Sequence, residues 1–197
     1  GQPNTGVANT FGIGNMPEYG IPSAMTADGP AGVRIAPEVG IYTTAFPCST
    51  LLACTWNPNV LEAVGRAGGE ELKENNLALW LTPAICIHRS PLCGRNFEYF
   101  SEDPYLSGKM AAAFIRGVQS TGAAACAKHF AVNSQELRRM AMNAVVDERT
   151  LREIYLTGFE IAIKEGGAKT VMSSYNEVNG VYANENEHLL KDILRDE

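Results

Sequence analysis

Short apolar runs alternate with amphipathic segments along most of the chain, and this alternation constrains the fold more than any other feature. Each run is apolar throughout and bounded by turn residues, which is typical of strands buried in a parallel sheet. The alternation predicts an α/β fold in which helices connect parallel strands. The predicted strands are residues 51–54, 81–87, 123–127 and 170–174.

Three helices can be located from their capping residues. Asn57 and Asp103 are each followed by proline, and a polar cap with proline at the first helical position is a typical helix start. Asp147 precedes acidic residues and an apolar stripe at helical spacing, and a glycine pair ends this segment. We predict helices over residues 57–76, 103–122 and 147–167, and a fourth that begins near Asn186.

Four predicted strands and four predicted helices make about half of an eight-fold barrel. An open half-barrel would leave strand edges and apolar helix faces uncovered. We therefore expect an incomplete (β/α)8 TIM-barrel-like domain over residues 1–197, completed by polypeptide outside this chain.

Composition excludes several classes of partner. The 22 acidic and 16 basic residues give a formal net charge of −6, and the chain contains no basic run that would bind phosphates, so we expect no nucleic acid partner. No apolar stretch reaches the roughly 18 residues that span a bilayer, so we expect no membrane partner either.

The five cysteines and three histidines form no recognisable metal or disulfide pattern. The cysteines are odd in number and show no CxxC spacing, and the histidines are isolated from any short Cys/His cluster. We predict that most cysteines are small buried apolar residues and that no metal is bound. Reduced thiols favour a cytoplasmic location, and no charged-then-apolar leader opens the chain.

Polar side chains gather where the predicted strands end. Lys128 and His129 follow the third predicted strand, Tyr175 follows the fourth, and Arg95 lies in the loop after the second. In barrels and open α/β sheets alike, sites are built at the carboxyl ends of the strands. The coincidence of three such ends therefore indicates a site.

Two loop segments carry charged residues suited to hydroxyl groups. Asp28 precedes Gly-Pro in a tight turn, where it either accepts from two ligand hydroxyls or only stabilises the turn. Arg95 presents a rigid fork of donors, and Glu98, three residues later, is placed to hold that fork. The alternative is a surface Arg–Glu ion pair that stabilises little.

The ends of the last two predicted strands leave further alternatives open. Neighbouring strand residues point to opposite faces, so Lys128 and His129 reach one pocket only if a bulge or a cis peptide interrupts the strand; otherwise one of them faces away. A buried Lys128 could also form a Schiff base. Tyr175 can donate a hydrogen bond, and the residues favour core packing for Met172 over contact with a sugar.

Four segments, taken in order, resemble a known family. They are TADGPAGVR, GRNFEYFSEDPYLSG, AKHFAVNSQE and MSSYNEVNG. In this order and spacing they are similar to the first catalytic domain of glycoside hydrolase family 3, above all to its bacterial β-glucosidases. The resemblance covers residues 11–197. The KHF segment lacks the PGHG continuation typical of the N-acetylglucosaminidase branch of the family.

The resemblance implies a (β/α)8-like barrel and retaining hydrolysis of terminal, non-reducing β-D-glucosyl residues, with no metal or organic cofactor. By position, Tyr175 would lie beside the nucleophile and Met172 would be a further substrate contact, with Glu98 and Glu136 in supporting roles. The residues that would hold the hydroxyls of the terminal sugar are Asp28, Arg95, Lys128 and His129.

The same resemblance places both catalytic carboxyl groups outside this chain. The nucleophile would be an Asp that closes the strand expected after Glu197, and the acid/base would be a Glu from a second, α/β sandwich domain. The expected partners are a small β-glucoside and the remaining polypeptide of the same enzyme. We expect the isolated chain to be inactive.

Three alternative functions remain open from the sequence. The first is a non-catalytic module that binds a sugar in the same pocket. The second is a β-xylosidase or another exo-β-glycosidase of the same family. The third is a lyase that uses Lys128 as a Schiff-base amine, which would leave the segments around Asp28 and Arg95 unexplained.

Overall fold

The structure is a computed structural model that describes residues 2–3 and 11–197. Two sheets are formed among these residues. The strands of the main sheet are β1 (Gln2–Pro3), β2 (Phe11–Met16), β3 (Ile21–Ala27), β4 (Leu79–Trp80), β5 (Ala124–Phe130) and β7 (Thr170–Ser173). The strands of the small sheet are β6 (Asn143–Ala144), β8 (Glu177–Val178) and β9 (Val181–Tyr182).

The strands of the main sheet lie in the order β1-β2-β3-β4-β5-β7. The first three are antiparallel, and β3, β4, β5 and β7 are parallel to one another. Because parallel neighbours need long crossovers, helices connect them, which confirms the predicted α/β class.

The helical segments account for most of those crossovers. The α-helices are α1 (Ser49–Ala53), α2 (Pro58–Glu74), α3 (Pro104–Ser120), α4 (Glu148–Thr150) and α5 (Thr157–Lys164). A π-helical segment, Leu151–Leu156, joins α4 to α5 without a break, and a second one covers His188–Ile193. Short 3₁₀ turns cover Pro17–Tyr19, Pro37–Val39 and Asn96–Glu98.

The capping residues confirm the three helix starts that the sequence predicts. The Asn57 side chain accepts from the Asn59 amide at 3.0 Å. Asp103 accepts from the Tyr105 amide at 2.7 Å. Asp147 accepts from the Thr150 amide at 3.0 Å. Each side-chain oxygen satisfies an amide that has no partner within the helix.

Two of the four predicted strands need correction. The prediction for residues 51–54 is wrong, because this segment lies in and just after α1. Leu52 is buried while Leu51 is 58% exposed, and a four-residue apolar run does not by itself distinguish a strand from a short helix. The remaining parallel strand is β3, which the sequence did not predict. The predictions at residues 123–127 and 170–174 are confirmed as β5 and β7.

The predicted strand over residues 81–87 is confirmed only in part. Ladder pairing is confined to β4, just before it, and to one bridge between Ala84 and Lys128. Pro83, which has no amide hydrogen to donate, follows a cis Thr82–Pro83 bond. The segment is nevertheless buried, and it leads into the loop that carries Arg95.

Close packing beneath the sheet positions the strand ends. Helices α2 and α3 approach so closely that a Cβ on Gly65 would collide with the Phe114 carbonyl oxygen. Trp80, at the end of β4, packs against the Phe114 ring with centroids 5.4 Å apart. Its indole Nε1 donates to the Gly29 carbonyl at 2.9 Å, which ties the turn after β3 to the core. None of the helices in the described ranges is long and apolar enough to cross a membrane.

Candidate functional site

The carboxyl ends of the parallel strands bring four of the predicted site residues together. Asp28 immediately follows β3, Lys128 and His129 lie near the end of β5, and Arg95 belongs to the long loop after β4. Parallel strands end at the same edge of a sheet, so segments far apart in sequence meet there. With Glu98 these residues are called the strand-end cluster below.

Lys128 and Asp28 form the inner ion pair of the cluster. Lys128 Nζ lies 2.8 Å from Asp28 Oδ1, and Lys128 is 2% exposed. The same carboxylate accepts from the Gly29 amide at 2.9 Å and from Arg34 Nη2 at 3.1 Å. Burial alone would raise the pKa of Asp28, but the Lys128 ammonium and these hydrogen bonds hold it below its usual value.

Arg95 forms the second ion pair and is held from two sides. Its Nε donates to the carboxylate of Glu98, and its Nη2 lies 3.1 Å from His129 Nε2. Glu98 is 2% exposed, so this is not the solvated surface pair that the sequence left open. Although burial lowers the pKa of Arg95, the hydrogen bond and charge of Glu98 raise it above its usual value.

Lys128 and His129 are neighbours, yet both face the cluster. The peptide bond between them is cis, as is the one between Phe130 and Ala131, and the pairing of β5 with β7 shifts register between Lys128 and Phe130. The register shift interrupts the regular alternation of side chains along β5, so both side chains reach the same pocket.

His129 is neutral in this environment. Burial lowers its pKa to about 2, and the positive charges of Arg95 and Lys128 act in the same direction. A neutral imidazole has one donor and one acceptor nitrogen. Its contact with Arg95, which can only donate, therefore identifies Nε2 as the acceptor.

An outer rim connects Arg95 with Tyr175. Glu136 Oε1 lies 3.8 Å from Arg95 Nε and 3.4 Å from Arg139 Nη1. The Arg139 guanidinium lies 5.2 Å from the centre of the Tyr175 ring, and Tyr175 is 52% exposed. Tyr175 is thus linked to Arg95 of the cluster through Arg139 and Glu136.

Met172 lies in β7, directly across from Lys128 in the strand pairing. It is partly buried.

Sequence reasoning missed three residues that contact this site. Arg34 shares the carboxylate of Asp28, Arg139 bridges Glu136 and Tyr175, and Tyr99 lies beneath His129. Arg34 belongs to the same TADGPAGVR segment as Asp28, six residues later, and that proximity was the available signal. Tyr99 likewise belongs to the GRNFEYFSEDPYLSG segment, four residues after Arg95, so the same signal was available for it, whereas Arg139 lies outside the four segments.

The arrangement suits an uncharged ligand rich in hydroxyl groups. It offers acceptors on Asp28 and donors on Lys128 and Arg95 within one small region, and charged groups form stronger hydrogen bonds to hydroxyls than neutral groups do. Within residues 2–3 and 11–197, the structure groups no three His, Cys, Asp or Glu side chains that could hold a metal ion.

Comparison with known proteins gives consistent matches over the whole described domain. Residues 14–197 match the glycosyl hydrolase family 3 N terminal domain. The chain is 61% identical over 197 residues to beta-glucosidase A of Butyrivibrio fibrisolvens, which covers 100% of this chain and 24% of that protein. An exo-alpha-(1->6)-L-arabinopyranosidase of Bifidobacterium longum is 44% identical over 187 residues, covering 90% of this chain and 25% of that protein.

A solved structure of a beta-glucosidase also matches the whole chain. Beta-glucosidase 3B from Thermotoga neapolitana, in complex with glucose, superimposes with a TM-score of 0.95 at 53% identity, covering 100% of this chain and 28% of that one. The chain thus spans about a quarter of the length of these relatives, and the predicted fold, an incomplete (β/α)8 barrel-like domain, is confirmed. On the strength of the family match and of these identities, the chain belongs to glycosyl hydrolase family 3.

Proposed function

We propose that this chain forms most of the subsite that holds the terminal sugar in a longer, retaining β-glucosidase. The complete enzyme hydrolyses terminal, non-reducing β-D-glucosyl residues and releases β-D-glucose. In this role Asp28, Arg95, Lys128 and His129 hold the hydroxyls of the sugar, and Glu98 and Glu136 support Arg95. Tyr175 and Met172 complete the side of the site nearest β7.

The strand-end cluster itself carries the proposal. A buried Lys128–Asp28 pair lies beside the Arg95–His129 contact, so charged donors and acceptors are fixed before any ligand arrives. Each charge-assisted bond to a hydroxyl contributes about 1.5–3 kcal/mol. Such contacts raise kcat as well as affinity where they tighten on the oxocarbenium-like transition state.

The two catalytic carboxyl groups are proposed to come from polypeptide outside this chain. A retaining glycosidase places a nucleophile and an acid/base about 5–5.5 Å apart. We assign the nucleophile to an Asp on the strand that follows Glu197, beside Tyr175, and the acid/base to a Glu of a second, α/β sandwich domain. The greater length of the relatives supports this division, since each is about four times as long as the matched region.

A second candidate is an exo-glycosidase of the same family that prefers another sugar. The arabinopyranosidase of Bifidobacterium longum, 44% identical, favours this candidate over a wholly different activity. A Schiff-base lyase is disfavoured because Lys128 lies in an ion pair with Asp28, and only a neutral amine attacks a carbonyl group.

The test uses the full-length protein and a panel of aryl glycosides. We expect the highest kcat/KM with the β-D-glucoside, compared with the β-D-xyloside, the β-D-galactoside and the α-L-arabinopyranoside, and we expect proton NMR to show β-glucose as the first product. An inverted product rejects the retaining mechanism. A preference for another sugar selects the second candidate. Glucose binding in calorimetry without any turnover supports a non-catalytic module.

A further inference from the structure

Tyr99 lies next to His129 of the strand-end cluster, although it takes no part in the proposed sugar contacts. It is 0% exposed. Its hydroxyl lies 3.5 Å from His129 Nδ1 and donates to the Asn133 carbonyl at 3.2 Å. The same hydroxyl oxygen accepts from Asn133 Nδ2 at 3.0 Å. The ring of His129 is therefore approached by Arg95 on one nitrogen and by Tyr99 on the other.

The donors and acceptors around this ring are consistent with one tautomer. Arginine has five donors and no acceptor, so Nε2 of the neutral His129 must accept from Arg95 Nη2, 3.1 Å away. The ring hydrogen then resides on Nδ1. Asn133 Nδ2, also 3.5 Å from Nδ1, is itself a donor. The Tyr99 hydroxyl oxygen is the group at Nδ1 that can accept this hydrogen.

We propose that Tyr99 is a positioning residue whose hydroxyl holds His129 in the Nδ1–H tautomer, so that Nε2 keeps an acceptor facing Arg95 and fixes the guanidinium for sugar binding. The inference rests on the proposed function, because the ligand of Arg95 is the sugar. Without the hydroxyl, the ring hydrogen is free to move to Nε2. The hydrogen on His129 Nε2 would then face the donor Nη2 of Arg95, and Arg95 would keep only Glu98 as a buried hydrogen-bond partner.

Tyr99→Phe tests this in the full-length protein. The backbone carbonyl of Tyr99 is held by Thr50 Oγ1 at 2.8 Å and contacts His88 Nε2 at 3.0 Å, and the variant leaves both contacts in place. We expect kcat/KM for the aryl β-glucoside to fall about tenfold and the inhibition constant of glucose to rise by a similar factor. Tyr155→Phe, which removes a tyrosine hydroxyl outside this network, is the matched control and should leave both constants unchanged.

A double-mutant cycle with Arg95→Lys separates positioning from a general structural role. If Tyr99 acts through Arg95, Tyr99→Phe has much less effect on kcat/KM once Arg95 is already lysine. Equal effects in both backgrounds would overturn the proposal. The proposal would also be overturned if kcat/KM did not change in Tyr99→Phe. If Asn133→Ala lowered kcat/KM strongly and Tyr99→Phe did not, the positioning role would belong to Asn133 instead.

The tautomer can also be measured in the unaltered protein. We expect ¹⁵N spectra of the histidine-labelled full-length protein to show the His129 hydrogen on Nδ1, with His129→Gln identifying the signal. A hydrogen on Nε2 would overturn the proposal even if Tyr99→Phe failed to fold. These outcomes differ from failure of the proposed function, in which the wild-type protein hydrolyses none of the glycosides while the tautomer remains measurable.

Discussion

The strand-end cluster and a second charged cluster, on the outside of the helices, each contain one histidine. The second, called the helix-end cluster, consists of Glu148, Arg152, His188, Asp192 and Glu197. Its side chains are 38% to 55% exposed. In the strand-end cluster, Glu98, Lys128 and His129 are each at most 5% exposed, whereas the side chains of Arg95 and Asp28 are 19% and 35% exposed. The two clusters use similar residue types, but three members of the strand-end cluster are buried far more deeply.

The pKa values of the two histidines are shifted in opposite directions. The hydrogen bond with Glu148, 3.0 Å from Nε2, and the nearby Asp192 raise the pKa of His188. Burial and two neighbouring cations lower the pKa of His129 to about 2. Residue type alone therefore decides neither the charge nor the role of a histidine. In these two cases the burial of the ring and the charges of its neighbours set the direction of the pKa shift.

Removal of Lys128 is expected to have the largest effect of any single change. Lys128→Ala deletes a charged contact and leaves the half-buried Asp28 without its inner partner. We expect kcat/KM of the full-length protein for an aryl β-glucoside to fall at least about tenfold. Steady-state kinetics over a range of substrate concentrations measures it.

The matched control for this variant is Lys191→Ala. Lys191 Nζ lies 3.3 Å from Glu187, and the lysine side chain is 60% exposed. Such pairs contribute little, so the kinetics should not change. Unchanged kinetics in Lys128→Ala as well would remove Lys128 from the proposed sugar site, and the buried pair would then matter no more to activity than the exposed one.

Two glutamates near Arg95 allow the same comparison within the site. Glu98→Gln removes the charge of a buried partner, and we expect the free energy of unfolding to fall by about 2 kcal/mol. Glu136 is 37% exposed and lies 3.8 Å from Arg95 Nε. We expect Glu136→Gln to lower the free energy of unfolding by less than about 0.5 kcal/mol. Urea unfolding of both variants measures the difference. If both variants lost the same free energy of unfolding, burial would not explain how much each glutamate stabilises the protein.

Much of the fold was predictable because local signals and packing agree. Asn57, Asp103 and Asp147 cap their helices as expected. The apolar run of β5 is buried almost throughout, and that of β7 is partly buried. The strand β3 was missed because its residues become buried only towards its carboxyl end, where β3 pairs with β4, while its first half belongs to an exposed hairpin. Residues 51–54 were misassigned because four apolar residues fit a strand and a helix turn equally well.

The convergence of Arg95 and Lys128 followed from parallel-strand geometry, which sends each polar strand end to the same edge. Asp28 was placed with them only by the family resemblance, because β3 was not predicted. What the sequence could not show is which groups pair. The contact of Tyr99 with His129 joins residues 30 positions apart, and that of Arg139 with Tyr175 depends on how a long loop folds. Such contacts are tertiary and leave no periodic or local pattern.

The lowered pKa of His129 predicts a loss of stability in acid. In the unfolded chain this group titrates near 6.5, whereas in the folded protein it titrates near 2. Between these values the unfolded state binds a proton that the folded state does not, so the free energy of unfolding falls as the pH drops below about 6.5. The limiting slope is about 1.4 kcal/mol per pH unit. Urea unfolding at pH 7, 6 and 5 should show that the free energy of unfolding declines less steeply in His129→Gln than in the wild type. Equal declines in the two proteins would contradict a lowered pKa of His129.

His188 is expected to act in the opposite direction and more weakly. Because its folded pKa is raised above 6.5, its stabilising contribution is fully present below that value and is lost as the pH rises through the folded pKa. Since the side chain is 48% exposed, we expect only about 0.3 kcal/mol, reduced further in 1 M salt because exposed charges are screened. The difference in urea midpoint between wild type and His188→Gln should shrink between pH 6 and pH 8. A difference that grows over this range would mean that the carboxylates around His188 do not favour its charged form, and the contrast with His129 would then rest on burial alone.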